Sequence, residues 1–135
     1  MKLKLNYSHL ANESFISGFG LITNIPLPPD EVTWLSRSLD KLESEVKHYQ
    51  KARLAVFKTH GSEVKADEWR IDTSNPETIK RVNAAFEKLH KTEVEITLVR
   101  RIKVPAKIEM TAGQYKALLD AGVIEAFAAP EPPEE

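Results

Sequence analysis

The 135-residue sequence has no cysteine, no long apolar run and no marked excess of charge of either sign. The lack of cysteine excludes disulfides, thiolate metal sites and cysteine nucleophiles, and a reducing cytoplasm is then the simplest setting. No segment approaches the ~20 apolar residues of a membrane span, and the first six residues lack the apolar stretch of a signal peptide. A net charge of -1 provides no global attraction for nucleic acid or an anionic membrane. We therefore expect a cytoplasmic protein without a membrane partner.

Motifs for catalysis, metals and cofactors are also missing. No two of the four histidines have the i, i+4 spacing of a helical metal pair. Gly18 and Gly20 lack the preceding buried strand and the third glycine of a phosphate-binding loop, so close packing between helices is the favoured interpretation. The serines and threonines have no nucleophile-elbow context, and no carboxylate pair suits acid–base chemistry. The prediction is a protein that is not an enzyme, with no cofactor and no metal.

The most informative pattern that is present is an apolar stripe on one long predicted helix, from about Glu31 to Thr59. Prolines precede this helix, Asp30 is predicted to cap it, and Gly61 is predicted to end it. The spacing of the stripe alternates between three and four residues, which keeps one seam of a helix facing a partner helix. The members of the stripe are Val32, Leu35, Leu39, Leu42, Val46 and Tyr49.

A second seam helix is predicted to begin at Pro76, with Asn75 as its cap, and to end near His90 or Lys91. It is about 24 Å long against about 45 Å for the first, so an antiparallel hairpin leaves part of the stripe uncovered. The residues expected under the shorter helix are Val46, Tyr49 and Val56.

The uncovered end of the stripe is the predicted partner-binding surface. It comprises Val32, Leu35, Leu39 and Leu42, with Trp34 beside them. Exposing four large apolar side chains would forfeit roughly 1.5–3 kcal/mol each, so something is expected to cover them. Three interpretations stand at this point: core within one subunit, a second copy as a homodimer, or a foreign protein.

The remaining segments predict a small sheet and two shorter helices. Residues 2–7 and 93–104 alternate polar and apolar side chains and are predicted as strands, with a bulge or strand end near Arg100. A helix capped by Ser8 or Asn12 follows the first strand. Residues 61–74 are predicted as a polar connection.

The C-terminal part begins with a capping-box pair, Thr111 and Gln114, which predicts a last short helix ended by Gly122. Val123, Ile124 and Phe127 are expected to return to the core. The predicted fold is α+β: a long antiparallel helical hairpin packed with a two- to three-stranded sheet and two shorter helices, as a single domain over residues 1–127. Residues 128–135 predict a disordered acidic tail of Pro, Ala and Glu.

A basic grouping supplies the alternative function, nucleic acid binding. If the two strands pair, Lys2 and Lys4 share one exposed sheet face with Arg101 and Lys103, and such a patch could meet phosphates. Arg100 and Lys107 lie near its end. Glu93 and Glu95 fall on the same face and stacking aromatics are absent, which favours a solvated sheet edge protected by lysine.

Several segments of the chain form a further pattern when they are taken in order. They include the opening Met1-Lys2-Leu3-Lys4-Leu5, Phe86-Glu87-Lys88-Leu89 followed by Val94-Glu95-Ile96, and the closing Ile102-Lys103-Val104. The charged helix through Tyr49-Gln50-Lys51-Ala52-Arg53 and the short helix Tyr115-Lys116-Ala117-Leu118-Leu119 belong to the same pattern. In this order the segments resemble a family of small, uncharacterised proteins encoded by tailed bacteriophages. This resemblance implies an accessory protein in a bacterial host cytoplasm and transfers no site residues. The predicted function is binding of a viral or host protein, as an assembly helper or a modulator of a host machine.

Overall fold

The computed structural model describes residues 1–66 and 68–128 and folds them into helices and two small sheets. The elements are, in chain order, β1 (Lys2–Asn6), α1 (Tyr7–Leu10), α2 (Glu13–Ile22), α3 (Pro29–His60), β2 (Ser62–Lys65), β3 (Glu68–Arg70), α4 (Pro76–His90), β4 (Glu93–Thr97) and α5 (Ala112–Asp120). The predicted α+β class is confirmed. Within these described ranges, no helix is both long and apolar enough to cross a membrane. The predicted tail lies, apart from Ala128, outside the described residues.

The first sheet joins the N-terminal strand to the strand that follows α4. β1 and β4 pair antiparallel, with Leu3 opposite Ile96 and Leu5 opposite Val94. Leu5, Val94 and Ile96 are buried, so the predicted alternation does place one face of each strand in the core. The sheet contributes one wall of the core, which is shared with α2, α5 and one side of α3.

The two long helices form the predicted antiparallel hairpin. The rings of Tyr49 and His90 lie 5.7 Å apart, and those of Phe57 and Phe86 lie 5.6 Å apart. α4 therefore covers the C-terminal half of α3. The polar connection between the helices was predicted wrongly, because it contains the hairpin of β2 and β3. Nearly all side chains of that hairpin are exposed, and its strands are only four and three residues long, which is too short for the alternation of charged residues with Val64 and Trp69 to predict them.

Most helix starts follow the predicted caps. Asn12 caps α2, Asn75 caps α4, and Thr111 with Gln114 forms the capping box of α5. The cap of α3 was predicted wrongly: the helix begins at Pro29, and its first turn receives no side-chain capping bond. Proline suits the first helical position because it has no amide hydrogen to satisfy, and Asp30 then lies in the first turn, near the positive end of the helix dipole.

The C-terminal segments depart most from the prediction. The strand predicted to reach residue 104 ends at Thr97, because Ile102 forms a separate parallel bridge with Ile124. Val123 and Ile124 are fully buried, as expected. Phe127 was wrongly assigned to the core: it follows this bridge at the surface, is 42% exposed and stacks on Tyr115 at 4.2 Å between centroids.

Candidate functional site

The apolar stripe on α3 divides into two rows with different surroundings. The inner row consists of Leu35, Leu42 and Tyr49, which are at most 9% exposed. The outer row consists of Val32, which is 46% exposed, and Leu39 and Val46, which pack only partly against the core. Residues seven apart lie almost two turns apart, so each row follows its own line along the helix. The predicted stripe is therefore one core surface and one open surface.

This division corrects the predicted partner-binding surface. Leu35 and Leu42 are buried within the chain, at 4% and 2% exposure, so they offer almost no surface to a partner. Val32, Leu39 and Trp34 remain accessible to different degrees. Trp34 is 39% exposed, stacks with the Arg37 guanidinium at 4.9 Å, and lies on the opposite side of the inner row from Val32.

Specific polar contacts accompany the burial of the inner row. Ser38 is buried, and its hydroxyl donates to the backbone oxygen of Thr97 at 2.7 Å, which ties α3 to the end of β4. Tyr7 packs edge-on against Tyr49, and its hydroxyl donates to Glu45 Oε2 at 2.7 Å. Burial, and then the hydrogen bond and charge of Glu45, raise the pKa of Tyr7 to about 12. These contacts fix the side of α3 that faces the core.

Leu39 and Val46 of the outer row face an open apolar groove between α2 and α3, the seam groove, whereas Val32 does not line it. Its cavity measures about 440 Å³. The apolar lining and the glycine that define it are Ile16, Phe19 and Gly20 of α2 with Leu39, Leu42 and Val46 of α3. The polar side chains around it are Glu43, Lys47 and Gln50, all from α3. The sequence predicted Leu39 and Leu42 as part of a binding surface, but it did not predict that α2 lines the same groove.

The apolar pattern of α2 determines which of its faces is buried. Phe15, Phe19 and Ile22 recur at steps of four and three and are buried, so this face is fixed in the core. Ile16 and Gly20 lie one turn apart on an adjacent face, which borders the seam groove.

The two glycines of α2 have different surroundings. A Cβ atom on Gly18 would lie 3.0 Å from Leu118 Cδ1, so Gly18 permits the close packing of α2 on α5 that the sequence predicted. A Cβ atom on Gly20 would have no neighbour within 4 Å. A glycine inside a helix costs roughly 1 kcal/mol relative to alanine. Packing within the chain accounts for Gly18 and leaves Gly20 without a reason.

A second, more polar cavity of about 600 Å³ continues along α3. Val46 and Gln50 line both cavities, so the two are adjacent. Glu13, Arg53 and His90 contribute the charged and titratable groups of this second cavity, and Nε2 of His90 lies 3.0 Å from the Tyr49 hydroxyl. Leu54, which is 43% exposed, extends the apolar surface beyond Gln50.

The residues of the predicted basic sheet face are not arranged as expected. Lys4 lies opposite Glu95, and Lys2 forms an ion pair with Glu95 at 3.7 Å. Arg101 and Lys103 flank the Ile102 bridge, outside β4, so they do not continue the face of the β1–β4 sheet.

Two further basic residues were predicted at the end of that face. Arg100 forms an ion pair with Glu31 of α3 at 2.9 Å. Lys107 lies in the loop after Ile102, beyond β4. Acidic neighbours thus pair with two of the six predicted basic residues.

Among residues 1–66 and 68–128, no group of three or more His, Asp or Glu side chains is arranged to hold a metal ion.

Comparisons with protein-family models, curated proteins and solved structures give no match to this chain.

Proposed function

We propose that this protein is a non-catalytic binding module that takes an amphipathic helix of another protein subunit in the seam groove. The observation that carries the proposal is the outer row: Val32, Leu39 and Val46 recur every seven residues and remain only partly covered by the chain itself. A seven-residue repeat is the spacing with which one helix meets another. The complementary occupant is therefore a helix.

The seam groove and the second cavity together are long enough for such an occupant. From Leu39, at the seam groove, to Phe57, beside the second cavity, α3 advances 18 residues, or about 27 Å, which corresponds to about five helical turns. An amphipathic helix in an apolar groove is a recurrent mode of peptide recognition, with anchors at steps of three and four. Each apolar side chain of the outer row that a partner removes fully from water would contribute up to about 1.5–3 kcal/mol.

Gly20 adds independent support for close approach of a partner. Because Gly20 has no side chain, α2 leaves open space on its side of the seam groove. A glycine at this place lowers helix stability, and no contact within the chain explains why it is there. Small residues at a helix surface allow a neighbouring backbone to approach closely. A partner helix seated over Gly20 would account for that cost.

The resemblance of the sequence to tailed-phage proteins suggests the setting of this binding. We place the partner among viral or host proteins in a bacterial cytoplasm, where the module would help assembly or modulate a host machine. The charge pairing described for Lys2 and Arg100 weakens the case for nucleic acid as the partner.

Site-directed photo-crosslinking tests the proposal inside bacterial cells. A benzoylphenylalanine residue replaces Gly20, where the backbone has open space for it, and a matched variant carries the same residue at Lys41, an exposed position on the side of α3 opposite the groove. We expect a discrete polypeptide adduct at position 20 that survives nuclease and is absent at position 41. Equal adducts at both positions, or none at position 20, would contradict the proposal.

A further inference from the structure

The distribution of charge along α3 identifies a specific occupant for the seam groove. Residues 29–45 carry five acidic and two basic side chains, whereas residues 46–60 carry four Lys or Arg and no acidic side chain. Acid near the start and base near the end of a helix suit its dipole, but that effect falls off within the first and last turns. Asp40, Glu43, Lys47 and Lys51 lie in the middle of the 32-residue helix, so the dipole does not account for their segregation.

Two of these central charges border the groove. Glu43 and Lys47 are exposed and line its cavity, beside Leu39 and Val46. Asp40 and Lys51 are exposed one turn further out in each direction. None of the four forms an ion pair within the described part of the chain. The acidic N-terminal half and the basic C-terminal half of α3 thus lie one after the other beside one apolar row.

We infer that the seam groove binds α3 of a second copy of this chain, in antiparallel orientation about a two-fold axis near Val46. This inference rests on the proposed function, in which the groove takes a helix, and it names the helix. A two-fold axis at that level brings Glu43 of one copy beside Lys47 of the other, and Asp40 beside Lys51, so the acidic half of each helix meets the basic half of its mate.

Apolar contacts follow from the same arrangement. Val46 lies beside its own symmetry mate, and Leu54, at 43% exposure, comes opposite Ser36 of the second copy. The missing side chain of Gly20 leaves room for the incoming helix. A parallel arrangement would instead place acid against acid and base against base, which disfavours it.

The expected dimer is weak, because the outer row supplies few apolar side chains and its charges lie at the exposed rim. We expect a dissociation constant on the order of 1–100 µM. Such a dimer covers the outer row until a partner helix of matching charge pattern displaces one copy. Foreign binding and self-association then compete for the same groove.

Charge exchange tests the inference by sedimentation velocity over a loading range of about 5–500 µM. Glu43→Lys and Lys47→Glu each turn the two symmetry-related attractions into repulsions, and each variant alone should dimerise about tenfold or more weakly than the natural chain. An equal mixture of the two variants restores attraction across the interface and should form the heterodimer. Lys41→Glu, the same charge change on the opposite side of α3, is the matched control and should dimerise normally.

Several results would overturn the inference. They are a chain that sediments as a monomer at every concentration, a dimer that Glu43→Lys leaves unchanged, and single variants that do not associate better when mixed. The crosslinking at position 20 separates this failure from failure of the proposed function. A foreign adduct with a monomeric chain refutes the self-association alone, whereas no adduct and no dimer refute both.

Discussion

The inner and outer rows of α3 have the same residue chemistry and the same seven-residue spacing, yet only one row is buried. Leu42 of the inner row is 2% exposed, whereas Val32 of the outer row is 46% exposed. The difference lies in what each row meets: α1, β4 and α4 close over the inner row, while α2 stands beside the outer row and leaves a groove. A helix can therefore use one side of a single seam for its own fold and keep the other side for a second helix.

The sharpest way to break this comparison is to truncate one residue of each row. Leu42→Ala removes a fully packed side chain from the core and should lower the free energy of unfolding by about 2–5 kcal/mol. Leu39→Ala loses a side chain that solvent already reaches and should cost much less. Urea denaturation of both variants gives the comparison directly. Equal losses at the two positions would mean that the outer row is core as well.

A second prediction concerns the polar contact that holds the inner row against the sheet. Ser38→Ala leaves the Thr97 carbonyl without the hydroxyl that donates to it at 2.7 Å, and should cost about 1–3 kcal/mol. Ser36→Ala makes the same change at an exposed position two residues earlier, so it controls for helix propensity. Thermal and urea unfolding of the two variants measure the difference. If both variants unfold alike, the bond to Thr97 does not stabilise the fold.

The two glycines of α2 provide a third test. Gly20→Ala gains helix propensity and meets no neighbour, so it should stabilise the protein by up to about 1 kcal/mol. Gly18→Ala gains the same propensity but crowds Leu118, and should destabilise by about 1 kcal/mol. A stabilised Gly20→Ala chain with weakened dimerisation would indicate that Gly20 serves the groove. Destabilisation by Gly20→Ala would show that the chain itself needs this glycine.

The last expected effect is confined to high pH and acts through Tyr7, which packs on the inner-row residue Tyr49. The folded-state pKa of about 12 lies above the ordinary value of 10.0, so the unfolded chain releases this proton first as pH rises. The stabilisation from neutral Tyr7 is complete below pH 10 and is lost between pH 10 and 12. Relative to Tyr7→Phe, the natural chain should therefore lose stability across this range in urea titrations. Parallel curves for the two chains would contradict the assignment.

The sequence predicted the elements whose signals are local. Apolar spacing located α3 and α4, and Asn12, Asn75 and Thr111 marked helix starts because capping depends on a few neighbouring residues. The antiparallel hairpin followed from two seams of unequal length. The exposed β2–β3 hairpin was missed because its strands are only four and three residues long, which is too short for alternation to distinguish them from a polar loop.

Features that depend on distant parts of the chain were not predictable in this way. The sequence predicted a bulge or strand end near Arg100, and the strand ends at Thr97, but the pairing of Ile102 with Ile124 beyond it is a contact that no local pattern indicates. The division of the stripe into two rows depends on where α2 packs, which its own periodicity does not specify. The only local indication was Gly20, a glycine inside a helix, and one such residue does not distinguish internal packing from a binding surface.

Thiol reactivity tests the two-row account most directly, because the natural chain has no cysteine. Leu42→Cys, Leu39→Cys and Gly20→Cys place one thiol in the inner row, the outer row and the opposite wall of the seam groove. In dilute solution we expect rapid labelling at positions 20 and 39 and protection at position 42. Addition of concentrated natural chain should slow labelling at positions 20 and 39 only. Protection of position 39 equal to that of position 42 in dilute solution, or labelling that the added chain does not slow, would contradict an open row that receives a second helix.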